Sequence, residues 1–136
     1  MFTNVLSKDE RLALVKTLAF LAYAGGERAP EDAEFVVTVG RNLGLDVRPI
    51  LNDVHRLKLE EILPSVGEPR SKRVFLQALV NLGYADGEYC EAERAGIRHI
   101  AGQLGIDEKT LLRIEEWVER GVAWTHEGYN LLIKGE

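Results

Sequence analysis

Apolar residues recur along most of the chain at the three- and four-residue spacings of an amphipathic helix. Signals that begin and end helices lie between these stretches. Ser7 and Glu10 have the spacing of a capping box, Gly25-Gly26 follows the first apolar stretch, and Gly44 and Gly105 follow two later ones. No stretch alternates apolar and polar residues in the manner of a β-strand. The pattern therefore predicts an all-α fold.

The first half of the chain is similar to the second half at a constant offset. Leu14–Leu57 aligns with Phe75–Val118 without a gap, and the identical pairs fall on core, stop and cap positions. A duplicated three-helix unit accounts for this agreement, because each unit alone has too small a core and packs on its copy. We predict a single domain over residues 1–136, a compact bundle of about seven helices. It consists of two pseudo-symmetric repeats, at 14–57 and 75–118, and a C-terminal helical extension at 119–133.

Composition excludes several kinds of partner and location. The net charge is -5, and the basic residues are scattered among acids, which argues against nucleic acid and anionic membranes as partners. The most apolar stretch, Leu12–Ala24, contains Lys16 and is too short to cross a bilayer. The N-terminus lacks the pattern of a signal peptide, and a lone cysteine, Cys90, suits a reducing compartment. We expect a cytoplasmic protein that does not insert into membranes.

Catalytic groupings are missing from the sequence. The histidines lie in different helical segments without a partner at a fixed spacing, and Cys90 has no nearby histidine to activate it. Gly25-Gly26 follows a helix and lacks the Lys-Ser or Lys-Thr of a phosphate-binding loop. We predict a protein without enzymatic activity, and a metal-dependent enzyme is the less favoured alternative.

The second repeat contains a distinctive run between its first two helices. Residues 84–93 read Tyr-Ala-Asp-Gly-Glu-Tyr-Cys-Glu-Ala-Glu, and a Leu104-Gly105 turn follows the next helix. This combination resembles the TerB-like family, which includes the tellurite-resistance protein TerB and the amino-terminal domain of a DnaJ-like membrane co-chaperone. The resemblance implies an all-helical fold with internal pseudo-symmetry, a metal-binding or scaffolding role at acidic residues of the inter-helix loops, and no established enzyme activity. We expect a non-enzymatic domain that acts in stress response as an interaction module. The first repeat departs from the pattern, since Gly25 stands where the second repeat has Asp86.

The acidic loop of the second repeat is the candidate metal site. A tight hairpin between its helices would bring Asp86, Glu88 and Glu93 near one point, and oxygen ligands of this kind suit Ca²⁺ or Mg²⁺. Glu27 and Asp32 are the acids that the first repeat could add. The alternative needs no metal, because acidic residues at a helix start are favoured by the helix dipole.

Large and small residues alternate near the C-terminus along one helical stripe, at spacings of 4, 3, 4 and 3 residues: Trp117, Gly121, Trp124, Gly128 and Leu131. In one interpretation this stripe packs across the first repeat and closes the core. In the other it is an exposed interface, for a protein partner or a homodimer, with Trp117, Trp124 and Tyr129 as anchors. A purely structural oligomerisation domain is a form of the second interpretation. A helix break near Gly121 is also open, because glycine weakens helices.

Overall fold

The computed structural model describes residues 2–23, 30–84, 89 and 91–136, with the backbone alone for residues 30–32. Seven α-helices and no strand lie in this part of the chain, which confirms the predicted all-α bundle. None of the helices described is long and apolar enough to cross a bilayer. The helices are α1 (Lys8–Tyr23), α2 (Pro30–Asn42), α3 (Arg48–Asn52), α4 (Leu59–Ile62), α5 (Pro69–Gly83), α6 (Glu91–Gln103) and α7 (Glu108–Tyr129).

Helices α1 and α5 form the centre of the bundle. Leu14 and Leu18 of α1, and Phe75 and Leu79 of α5, are completely buried. Helix α1 packs against α2, α3 and α4, whereas α5 packs against α6 and α7, and a contact between α1 and α5 joins the two groups. This grouping is compatible with the two predicted repeats, whose pseudo-symmetry stays a prediction.

Local signals begin and end the helices where the sequence predicts. The backbone N–H of Ser7 donates to Glu10 Oε1 at 2.8 Å, and the N–H of Glu10 donates to the Ser7 hydroxyl oxygen at 3.2 Å, which completes a capping box. Gly44 and Gly105 have φ angles of 74° and 75°, the left-handed conformation that glycine adopts most easily at a helix end. The Asp107 side chain caps α7 by accepting a backbone hydrogen bond of 2.7 Å.

The third helices of the two predicted repeats differ in length. Helix α3 has five residues, because Asp53 leaves the helical conformation and the 3₁₀ turn Val54–Arg56 follows. Helix α7 has 22 residues and runs without a break through Gly121 and Gly128. A π-helical turn, Asn130–Lys134, continues it. The break considered near Gly121 is therefore absent, and α7 extends well beyond the position equivalent to the end of repeat one.

Candidate functional site

Tyr89, Arg94 and Glu115 form a polar cluster beside the C-terminal end of α5. The Tyr84 and Tyr89 rings lie 5.1 Å apart between centroids, and Arg94 Cζ lies 4.9 Å from the centroid of the Tyr89 ring. Arg94 Nε lies 3.9 Å from Glu115 Oε2, an ion pair too long for a direct hydrogen bond between these atoms. Glu115 is only 7% exposed. The cluster therefore holds the Glu115 carboxylate largely away from water, beside a guanidinium that stays partly exposed.

Both tyrosines of the cluster are harder to ionise than usual. Burial raises the pKa of Tyr89 far above its ordinary value of 10.0, and the neighbouring Glu115 carboxylate raises it further. Burial also raises the pKa of Tyr84, and the charge of Glu119 adds to the effect. Both hydroxyls are therefore protonated, and neutral, at neutral pH.

Most residues of the predicted metal site lie outside the described part of the chain. Asp86, Glu88 and Glu27 belong to the segments that the structure does not describe, and Asp32 is described by its backbone alone. Glu93 lies in the first turn of α6, with its carboxylate against the end of α5. Within the described ranges, no three His, Cys, Asp or Glu side chains are grouped closely enough to hold a metal ion. The metal site stays a prediction.

Sequence reasoning did not identify Glu115, although a signal for it exists. Leu111 and Val118 are the buried residues of α7 on either side of it, and all three lie on the face that packs on the bundle. A charged residue at a core-facing position is uncommon and usually has a partner. Arg94, the partner that the structure shows, is distant in sequence and carries no comparable signal.

The end of α7 extends past the bundle as an arm, which we define as residues 119–134. Val118 is buried, and every residue from 119 to 127 is exposed. Trp124 is 76% exposed and Leu132 is 78% exposed, and Trp117 at the base of the arm is about half exposed. The interpretation in which the tryptophan stripe closes the core is therefore wrong, and the stripe faces outward.

A groove of about 650 Å³ lies between the arm, α5 and the N-terminal segment. The Phe2 ring packs 5.9 Å from the Trp117 ring at one side of it. Gln77 of α5 lines the groove while only 8% exposed, and its Oε1 has no hydrogen-bond partner among the residues that the structure describes. Sequence reasoning missed Phe2 and Gln77, because neither residue differs from its neighbours in type or spacing. The residues that line the groove are Phe2, Gln77, Asn81, Trp117, Val118, Gly121, Val122, Thr125, His126 and Tyr129.

Comparison with known proteins agrees with this architecture. Residues 57–116 match the family model of the tellurite resistance protein TerB. A solved structure of a tellurite resistance protein from Nostoc punctiforme superposes with a TM-score of 0.69 and 26% sequence identity, over 95% of this chain and 84% of that chain. The chain is TerB-like. The resemblance carried by residues 84–93 is confirmed, and none of the curated proteins matches the sequence.

The TerB family match covers the polar cluster but not the arm. Its limits, residues 57 and 116, enclose the polar cluster of Tyr89, Arg94 and Glu115. The match ends one residue before Trp117, so the exposed stripe and the arm follow the TerB-matched segment.

Proposed function

We propose that this TerB-like chain is an interaction domain without enzymatic activity of its own, and that it binds a protein partner through the arm and the adjoining groove. The observation that carries the proposal is the exposure of large apolar side chains along the arm. Trp124, Leu131, Leu132 and Ile133 are each more than 60% exposed. Contiguous exposed apolar surface of this kind is typical of interaction sites.

The stability of the arm also favours a partner. A helix that extends from a bundle gains stability mainly by burying an apolar face, and isolated helices of this length are marginal in water. Helix α7 buries that face only as far as Val118. The next residues of the same face, among them Val122 and Tyr129, border the open groove. A partner in the groove would continue the packing that the bundle provides at the start of α7.

Site-specific photocrosslinking in the native host tests this proposal. A benzophenone amino acid at Trp124 or Leu131 is expected to capture a protein, because both side chains point away from the bundle. The same probe at Arg48, an exposed residue of α3 far along the chain from the arm, is the matched control. Adducts at the arm but not at Arg48 support the proposal. Equal labelling at all three positions, or no adduct at the arm, contradicts it.

A divalent-cation site in the second repeat is the second candidate function. The support is the placement of Glu93 and buried Glu115 next to the helix ends that carry the loop with Asp86 and Glu88. Isothermal titration of Ca²⁺, Mg²⁺ and Zn²⁺ is expected to show weak binding that Asp86→Ala abolishes. The exposed Asp53→Ala variant is the control, and equal heats from all three proteins contradict a site in this loop.

Involvement in tellurite stress is the physiological part of the proposal, and it rests on the names of the matched family and of the Nostoc punctiforme protein. A strain that lacks this chain is expected to grow poorly in tellurite. Expression of the wild type should restore growth, whereas a Trp124→Glu variant should not. Rescue by both proteins would show that the arm has no part in this response.

A further inference from the structure

We infer, on the basis of the interaction function proposed above, that the partner of the arm is a second copy of this chain. The two arms pack antiparallel about a twofold axis that passes beside Val122 and Ala123. A twofold interface must be self-complementary, because each contact between two residues occurs twice with the roles exchanged. Residue size, available space and most of the charges along the arm, together with a hydrogen-bond acceptor in the groove, meet this requirement.

The sizes of the stripe residues match only when the second arm runs in the opposite direction. With the axis at this position, Trp124 of each copy lies opposite Gly121 of the other, and Trp117 lies opposite Gly128. A parallel arrangement in register would place tryptophan against tryptophan and leave glycine against glycine. The alternating spacings of four and three residues are those of helices that pack side by side over several turns. Each tryptophan then fills the space left by a glycine.

The space above the glycines is open in the single chain. A Cβ atom built on Gly121 or Gly128 would meet no atom of the described chain within 4 Å. Neither glycine has a positive φ angle, so the helix itself does not require them. Glycine in the interior of a helix weakens it relative to alanine. Close approach by a large group from outside the chain accounts for both residues.

The charges beside the stripe agree with the same axis. Arg120 and Glu127 precede the two glycines and lie along one edge of the stripe, exposed, and neither takes part in an ion pair within the described chain. Antiparallel packing brings Arg120 of each copy next to Glu127 of the other, so the dimer contains two opposite-charge pairs. Further out along the same edge, Lys134 meets Arg113 of the second copy, which is a like-charge pair.

The groove supplies an acceptor for the entering tryptophan. Gln77 lines the groove, is more than nine-tenths buried, and its Oε1 lacks a hydrogen-bond partner in the described part of the chain. A buried acceptor without a donor is unfavourable, and an arriving N–H group relieves that cost. The indole N–H of Trp124 is a donor of the required kind on an otherwise apolar ring. The same side chain therefore satisfies both the apolar walls and the amide.

Charge exchange along the arm tests the inference in the full chain. Arg120→Glu and Glu127→Arg should each weaken the dimer by about tenfold, because each change creates two like-charge pairs. The double variant should recover wild-type affinity, and an equimolar mixture of the two single variants should form a heterodimer more readily than either forms a homodimer. Lys134→Glu should strengthen the dimer. Glu119→Arg, on the opposite side of the arm, is the control that should leave it unchanged.

Sedimentation velocity over a range of concentrations measures these affinities, and circular dichroism confirms that each variant is folded. A wild-type chain that stays monomeric at high concentration would overturn the inference. A double variant as weak as the single ones would also overturn it, because the arms would not be antiparallel. The photocrosslinking experiment distinguishes failure of the dimer from failure of the proposed interaction function. An arm adduct of twice the chain mass supports the second copy, an adduct of another mass retains only the interaction function, and no adduct removes both.

Discussion

Replacement of Gly121 by alanine should move stability and association in opposite directions. In the single chain the added methyl group enters open space and gives α7 a better helix-forming residue at an exposed interior position. In the antiparallel dimer the same methyl group lies where Trp124 of the second copy packs. Gly102→Ala is the control, because Gly102 is also an exposed helical glycine with open space around it and lies in α6, away from the arm.

The expected magnitudes are large enough to measure. The change from glycine to alanine should stabilise the monomer by about 1 kcal/mol, which for a chain of this size is a rise of roughly 3–5 °C in Tm. Insertion of one methyl group into a packed contact costs about 1–3 kcal/mol, and the twofold axis repeats that cost. The dimer should therefore weaken by at least about 2 kcal/mol, or roughly 30-fold in Kd.

Two assays separate these effects. Thermal unfolding at a concentration where the chain is monomeric measures the stability of α7 and its packing, and sedimentation velocity measures Kd. Gly121→Ala should raise Tm and weaken the dimer, whereas Gly102→Ala should leave the Kd unchanged. A Gly121→Ala dimer as tight as the wild type, or tighter, would contradict this interface, because the glycine would then not make room for a tryptophan.

Three further expectations concern the rest of the molecule. The folded-state pKa of Tyr89 lies above its ordinary value of 10.0, so its contribution to stability is complete below pH 10 and declines above it as the unfolded chain ionises. Urea unfolding from pH 8 to 11 measures this loss of stability. The free energy of unfolding should fall less with pH for Tyr89→Phe than for the exposed control Tyr129→Phe. Gln77→Leu should raise the Tm of the monomer, because it removes a buried acceptor without a donor, and should also weaken the dimer; an unchanged Kd would exclude the amide from the interface. Glu10→Ala should lower the free energy of unfolding by about 1–3 kcal/mol, because Glu10 is buried and accepts hydrogen bonds, whereas Asp9→Ala should have little effect.

Helix boundaries were predictable where the determining groups are adjacent in sequence. The capping box of Ser7 and Glu10 and the glycine stops at Gly44 and Gly105 depend on residues within one or two turns of each other. The same applies to the start of α7, where Asp107 bonds to the backbone three residues later. These features appear in the structure as the sequence indicates.

Features that depend on tertiary contacts between distant parts of the chain were not predictable. The spacing of Trp117 and Trp124 places both on one stripe, but spacing alone does not show whether another helix covers it. The answer depends on the point at which α7 passes the end of its packing on α5, and this follows from the lengths of both helices. Glu115 and Arg94 meet for a similar reason, because α6 and α7 both pack on α5 and this brings together residues far apart in the chain.

Disulfide formation between arms is the most direct measurement of the dimer and its orientation. A Cys90→Ser, Arg120→Cys, Glu127→Cys chain has its two cysteines about two turns apart on one helix, roughly 10 Å, which is too far for a bond within the chain. Under mild oxidation we expect a covalent dimer, and peptide mapping should find position 120 joined to position 127. Failure to form a covalent dimer, or bonds that join position 120 only to position 120, would contradict the antiparallel pairing of the arms.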